Sequence, residues 1–208
     1  MFMKITNVEI YGLGESIIAS GYPMQTWVSD KMPLDGTITW ASADKDCARA
    51  QRLGNAPSGS GHDCFLKGII VQMDVTATIK WWQQAQRYHW FDFVSSCSTI
   101  HRLPKFDLDK AYSDYTDEVI VERMKELQRQ YNDNPSHENY MRLIYSNPVG
   151  MELTARMTTN YLQLKTMYKQ RNMHPLKEWR DFCEWIGTLL YTKELGVCES
   201  RNMRGNIK

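Results

Sequence analysis

The chain has 208 residues, with 25 Lys and Arg against 24 Asp and Glu for a formal net charge of +1, and 42% of its residues are hydrophobic and 24% charged. This is the composition of a folded domain with a sizeable core; it excludes a disordered or coiled-coil chain, and without a basic block a nucleic-acid partner has no electrostatic support. No apolar run approaches a membrane span, and Met1-Phe2-Met3-Lys4 leads into mixed residues instead of an apolar signal core, so no membrane association and a cytoplasmic location are expected.

In chain order, partial alternation of Ile5, Val8 and Ile10 predicts a strand over Lys4 to Gly12. Residues 13 to 41, punctuated by Gly, Pro and Asp, read as irregular structure with short strand pieces. Asp44 to Leu53 predicts a short helix stopped by Gly54, and the glycines and proline of Asn55 to Gly61 require a loop. Phe65, Ile69, Val71 and Met73 share one face at period two and predict a strand over Phe65 to Met73. A helix is expected over 75 to about 90, with Ile79, Trp82 and Ala85 on one face and Gln84 and Arg87 on a second, polar one.

Ile120, Met124, Leu127 and Tyr131 make one stripe of a helix from Asp117, and Ser136 reads as the N-cap of another that ends before Asn147-Pro148. Met151 to Thr158 alternates cleanly and predicts a strand, and Asn160 to Arg171 returns to helical periodicity. After Pro175, the residues Trp179, Phe182, Cys183, Ile186, Leu189 and Leu190 form an apolar face, and the tail 199–208 is expected to be flexible. The mixture lacks regular strand–helix alternation, so an α+β domain spanning 1–208 is expected, a mostly antiparallel sheet flanked by helices.

Five cysteines, odd in number and without a CxxC pair, read as reduced thiols. His62-Asp63-Cys64 has no second cluster at ligand spacing, so no metal is expected. Gly12-Leu13-Gly14 lacks the spaced third glycine of a dinucleotide fingerprint, and the Gly59 to His62 loop precedes a strand instead of a helix. The concentration of chemistry lies in Gln84 to Arg102. Here Arg87, His89, Ser95, Ser98, His101 and Arg102 interleave with Tyr88, Trp90, Phe91 and Phe93, which suits a phosphorylated, planar ligand or, equally on residue types, a helix end with core aromatics and surface arginines.

These residues resemble the motifs of the flavin-dependent thymidylate synthases. Gln84-x-x-Arg87-Tyr88-His89 is similar to the family's Gln followed by Arg-His-Arg, and Ser95 to Arg102 is similar to its Ser-x-Arg element. One Arg of the first group is replaced, and Cys97-Ser98 stands where the family has Asn-Glu. Ala48-Arg49 followed by Gly61-His62-Asp63 resembles an upstream Ala-Arg segment and a His-containing turn, and Asn160 through Arg171 to His174 resembles an Asn-led helix ending in an Arg with a nearby His.

The resemblance implies transfer of a one-carbon unit from methylenetetrahydrofolate to C5 of dUMP, with FAD as cofactor, NADPH as reductant and a homotetramer as the assembly. It implies a catalytic Arg171 that polarises the pyrimidine, substrate contacts from Gln84, Ser95, Ser98 and Arg102, and cofactor contacts from His62, Arg87, His89, Asn160 and His174. Because one cation of the flavin motif is missing, two alternatives stand beside this reading. One is hydroxymethylation or another modification of dUMP or dCMP, as in virus-encoded, phage-type relatives. The other is a non-catalytic nucleotide-binding protein of the same fold.

Overall fold

The computed structural model describes residues 3–26, 40–41, 44–57 and 59–199. Val71, Met73, Val75 and Ala77 are all buried at period two, with β-branched Ile70, Thr76 and Thr78 among the residues that alternate with them, so the chain extends from Ile70 to Thr78 as a central strand. With Lys4–Tyr11 as β1, Ile70–Thr78 as β2, Phe91–Ser96 as β3 and Glu152–Asn160 as β4, the sheet order is β1-β2-β4-β3. It is antiparallel and flanked by helices, the α+β arrangement expected. The register is visible in side-chain pairs: Thr76 Oγ1 and Thr154 Oγ1 lie 2.7 Å apart, and Arg156, two residues on along β4, reaches Asp74, two residues back along β2, at 3.3 Å.

The chain forms two compact units, one of residues 1–7 and 73–157 and the other of 8–72 and 158–208. The first unit holds α3 (Ile79–Ala85), the four-residue α4 (Thr99–Arg102), α5 (Glu118–Asp133) and α6 (His137–Ser146). Its core joins Leu103 and Leu108 to Met124, Leu127, Leu143 and Met151. Met124 and Leu127 come from the stripe read on α5, and α5 packs on α6. Local chemistry sets the helix starts: the Asp117 carboxylate accepts the Val119 N–H, and the Ser136 hydroxyl accepts that of Asn139.

The second unit holds α1 (Leu13–Ala19), α2 (Lys45–Gly54), α7 (Tyr161–Arg171) and α8 (Lys177–Ile186). The Asp44 carboxylate caps α2 and the Asn160 side chain caps α7, accepting the Gln163 N–H at 2.9 Å. Between Asp63 and β2 the chain makes a 3₁₀ turn, Cys64–Gly68, that packs on both α1 and α7. Gly12 enters α1 with φ +70°, and a Cβ there would lie 2.6 Å from the Gly68 carbonyl oxygen; both facts require glycine.

Five expectations are corrected. The strand read over Phe65 to Met73 begins at Ile70, because the residues before it are bent into the 3₁₀ turn by a buried anchor at Asp63 described below. The helix read from residue 75 begins at Ile79: period-two burial runs on to Ala77, and the Thr78 hydroxyl accepts the Trp81 N–H at 3.2 Å as the true cap. That helix stops at Ala85, so Arg87 lies in the turn beyond it and shares no helix face with Gln84. Leu13–Ala19 is helical where irregular structure was read, its start made possible by the left-handed Gly12. The apolar face of α8 ends at Ile186, and Leu190 is 55% exposed. Strand pieces read within 27–39 and the tail read as flexible beyond Glu199 lie outside the described residues.

Candidate active site

In the first unit, Gln84 occupies the last turn of α3 and is half-buried. Trp81, Trp82 and Ala85 are the buried residues of that helix, and the Trp82 indole N–H donates to the Leu153 carbonyl at 3.2 Å, which fixes the helix roll. Tyr88 turns inward and is buried, so Arg87 and His89 on either side of it are exposed. The His89 ring meets the Trp90 ring edge-on at 4.9 Å.

β3 follows as the edge of the sheet, exposed from Asp92 onward, and carries Phe93, Val94 and Ser95. The Cys97 N–H donates to the Thr154 carbonyl at 2.9 Å and ends the pairing. Ser98 then caps α4, its hydroxyl accepting the His101 N–H at 3.3 Å, and α4 delivers Arg102 at its end, exposed. One short segment therefore displays two guanidinium groups, two imidazoles, several serine hydroxyls and the faces of Trp90 and Phe93. Such a set can bind a phosphate and lie against a planar ring.

In the second unit, His62 is exposed on a turn whose Gly61 has φ +77°. The next residue, Asp63, is buried and pairs with Lys165 of α7 at 2.7 Å, and the same ammonium donates to the Gly54 carbonyl at 2.7 Å. α7 is thus common to three residues singled out from the sequence: it begins at the Asn160 cap, clamps the His62 turn through Lys165, and ends at Arg171. The Arg171 guanidinium carbon lies 4.7 Å from the centre of the Trp179 ring, within cation–π range.

His174 sits beyond that helix end, its Nδ1 accepting the Leu176 N–H at 3.1 Å, while Arg180 donates to the His174 and Pro175 carbonyls at 2.6 and 2.8 Å. Partial desolvation, then the positive charges of Arg171 and Arg180, push the His174 pKa below its ordinary 6.5. The ring is neutral in the folded chain at pH 7. Because the folded-state value is depressed, the unfolded chain binds a proton more readily, so this contribution to stability is present above pH 6.5 and lost as the pH falls. An NMR titration of the His174 imidazole is expected to give a midpoint below 6.5 that moves upward in Arg180→Gln; a midpoint at or above 6.5 would contradict this arrangement.

Gln84, Arg87, His89, Ser95, Ser98 and Arg102 thus gather in one unit, and His62, Asn160, Arg171 and His174 in the other. The contact of Arg171 with Trp179, which the sequence shows only as a member of an apolar face, and the Asp63–Lys165 pair were not foreseen. Lys165 did carry a signal, a cation set between the apolar Leu164 and Met167.

No protein-family model matches the chain, and no curated protein sequence matches it significantly. Solved structures do. A thymidylate synthase X from Helicobacter pylori, crystallised with FAD and dUMP, is 15% identical, with a TM-score of 0.73 over 94% of this chain and 97% of that one. A second structure of the flavin-dependent thymidylate synthase from the same organism, also complexed with FAD and dUMP, has 16% identity and a TM-score of 0.67 over 95% and 98% of the two chains. A UMP/dUMP methylase from Streptomyces cacaoi bound with 5-bromo-dUMP is 15% identical, with a TM-score of 0.62 over 94% and 97%. Over nearly its whole length, this chain has the fold of the flavin-dependent thymidylate synthases.

Proposed function

We propose that the chain is a divergent flavin-dependent thymidylate synthase, acting as one catalytic domain that transfers a one-carbon unit from methylenetetrahydrofolate to C5 of dUMP, with NADPH as the reductant. The observation that carries this reading is the fold likeness over 94% of the chain to a protein crystallised with FAD and dUMP, joined to motif residues that stand in the family's order. The exposed Arg87 and His89 beside Trp90 offer a cation, an imidazole and an aromatic face, which fits a ligand with phosphates and a planar ring. FAD would supply the redox chemistry there.

The residues of the chain bind and polarise. Arg102 and Ser98 hold the nucleotide phosphate, Ser95 and Gln84 contact the nucleotide, and Arg171 stabilises negative charge on the pyrimidine carbonyl as C5 reacts. His62, Asn160 and His174 lie on the cofactor side. Self-association to a homotetramer in the cytoplasm belongs to the same reading, with the exposed edge strand β3 and its Phe93 and Val94 as a surface suited to a second copy. In such an assembly active sites are shared between subunits.

The test is direct. Purified protein incubated with FAD is expected to retain a flavin absorbance spectrum after desalting, and to convert dUMP, methylenetetrahydrofolate and NADPH into a product with the mass of the methylated nucleotide. Failure to take up FAD overturns the reading, and a hydroxymethyl product from dUMP or dCMP assigns the chain to the alternative chemistry.

A further inference from the structure

A depression of about 450 Å³ lies in the first unit, where the 3₁₀ turn after α4 meets the C-terminal end of α5 and the start of α6. None of Gln84, Ser95, Ser98 and Arg102 lines it. The rings of Tyr131, Tyr140, Pro104 and Pro135 form part of its walls, among more polar surface. The two tyrosine rings are tilted against each other with centres 5.4 Å apart. His101, Lys105 and His137 line it, all three exposed, and no lining residue is acidic. Among the described residues no carboxylate pairs with any of these three.

The cavity is held open by bonds that do not depend on a ligand. Asn132 of α5 donates to the Pro104 carbonyl at 3.2 Å, Gln128 donates to the Leu103 and Phe106 carbonyls at 2.9 Å each, and the Tyr140 hydroxyl donates to the Ile100 carbonyl. On the α6 side, Asn139 donates to the Asn134 carbonyl at 3.0 Å. Three backbone segments are thereby pinned around one space. A preformed hollow with aromatic and proline walls, a few convergent polar groups and a volume within the range of ligand pockets is what a planar organic ligand needs. A lysine at the rim beside two imidazoles that can donate hydrogen bonds, with no carboxylate in the lining, favours an anionic ligand.

We propose that this hollow is a second nucleotide site, which binds a nucleoside monophosphate with its base against Tyr131 and Tyr140 and its phosphate between Lys105, His101 and His137. The first turn of α6, whose Ser136 hydroxyl already takes the Asn139 N–H, adds a favourable field for the phosphate. The proposal does not depend on which reaction the chain catalyses, because it uses no residue assigned to that reaction.

Titration of the full chain with dUMP, followed by NMR of the Tyr131 ring and the His101 imidazole, is expected to give a saturable shift at both. Lys105→Gln and His137→Gln, at exposed positions that leave the core untouched, should each weaken that affinity about tenfold. Arg102→Gln, outside the hollow, should leave the Tyr131 shift in place. Inorganic phosphate is expected to move His101 at concentrations at least about tenfold higher than dUMP, because it lacks the stacked base. The proposal is overturned by an absence of saturable shifts, by unchanged affinity in both variants, by loss of the Tyr131 response in Arg102→Gln, or by phosphate binding as tightly as dUMP.

Discussion

Lys165→Met is expected to destabilise the protein by about 3–5 kcal/mol, because it leaves the Asp63 carboxylate buried without its counter-ion and the Gly54 carbonyl without its donor. Lys165 and Asp63 are 3% and 5% exposed, so water cannot take over either role. A loss of that size is a large fraction of the stability of a typical domain, about 5–15 kcal/mol. Urea unfolding measures it as a lower midpoint with an unchanged slope.

The pair also has a discriminating second variant. Removing both charges in Lys165→Met with Asp63→Leu eliminates the unpaired carboxylate, and recovery of a good part of the loss is expected, because breaking a buried pair is worse than replacing it. If Lys165→Met alone unfolds within about 1 kcal/mol of the unaltered chain, the pair does not anchor the His62 turn. The turn itself gives a local readout: amide exchange at residues 61–68 should quicken in the single variant before the rest of the second unit opens.

Arg171→Gln is expected to lower kcat by about 10²–10³-fold with little change in the KM for dUMP, since a donor aimed at charge that develops during reaction is worth that much in catalysis. The loss in folding stability should stay within about 2 kcal/mol, the upper reach of a cation–π contact such as the one Arg171 makes with Trp179. Arg171→Lys keeps the charge but not the planar fork that stacks on the indole, so it should restore only part of kcat. Steady-state kinetics alongside thermal melts separate the two effects. A variant with full kcat and a lowered melting temperature would leave Arg171 as a structural cation at a helix end, favourable to the dipole there and nothing more.

How much of this was legible depends on the range of the forces concerned. Helix starts at Asp44, Asp117, Ser136 and Asn160 are local events, in which a side chain captures an N–H two or three residues on, and all four are readable in the linear order. The alternation in β4 and the stripe of α5 are likewise local and periodic. The boundary between β2 and α3 was misplaced because Ile79, Trp82 and Ala85 satisfy a helical period while Val71 to Ala77 satisfy a strand, and only the Thr78 cap settles where one gives way to the other.

The order of Gln84, Arg87, His89, Ser98, Arg102, Asn160 and Arg171 along the chain was enough to point to a fold that the solved structures bear out, although identity to them is only about 15%. What no linear pattern contains is the Asp63–Lys165 pair, whose partners stand 102 residues apart, and the hollow between α4, α5 and α6, whose walls come from three separate segments. Periodicity and capping act over a few residues and leave their mark on neighbours in the chain. Burial of a charge, or the opening of a cavity, depends on which distant surfaces come together, and that is settled by packing.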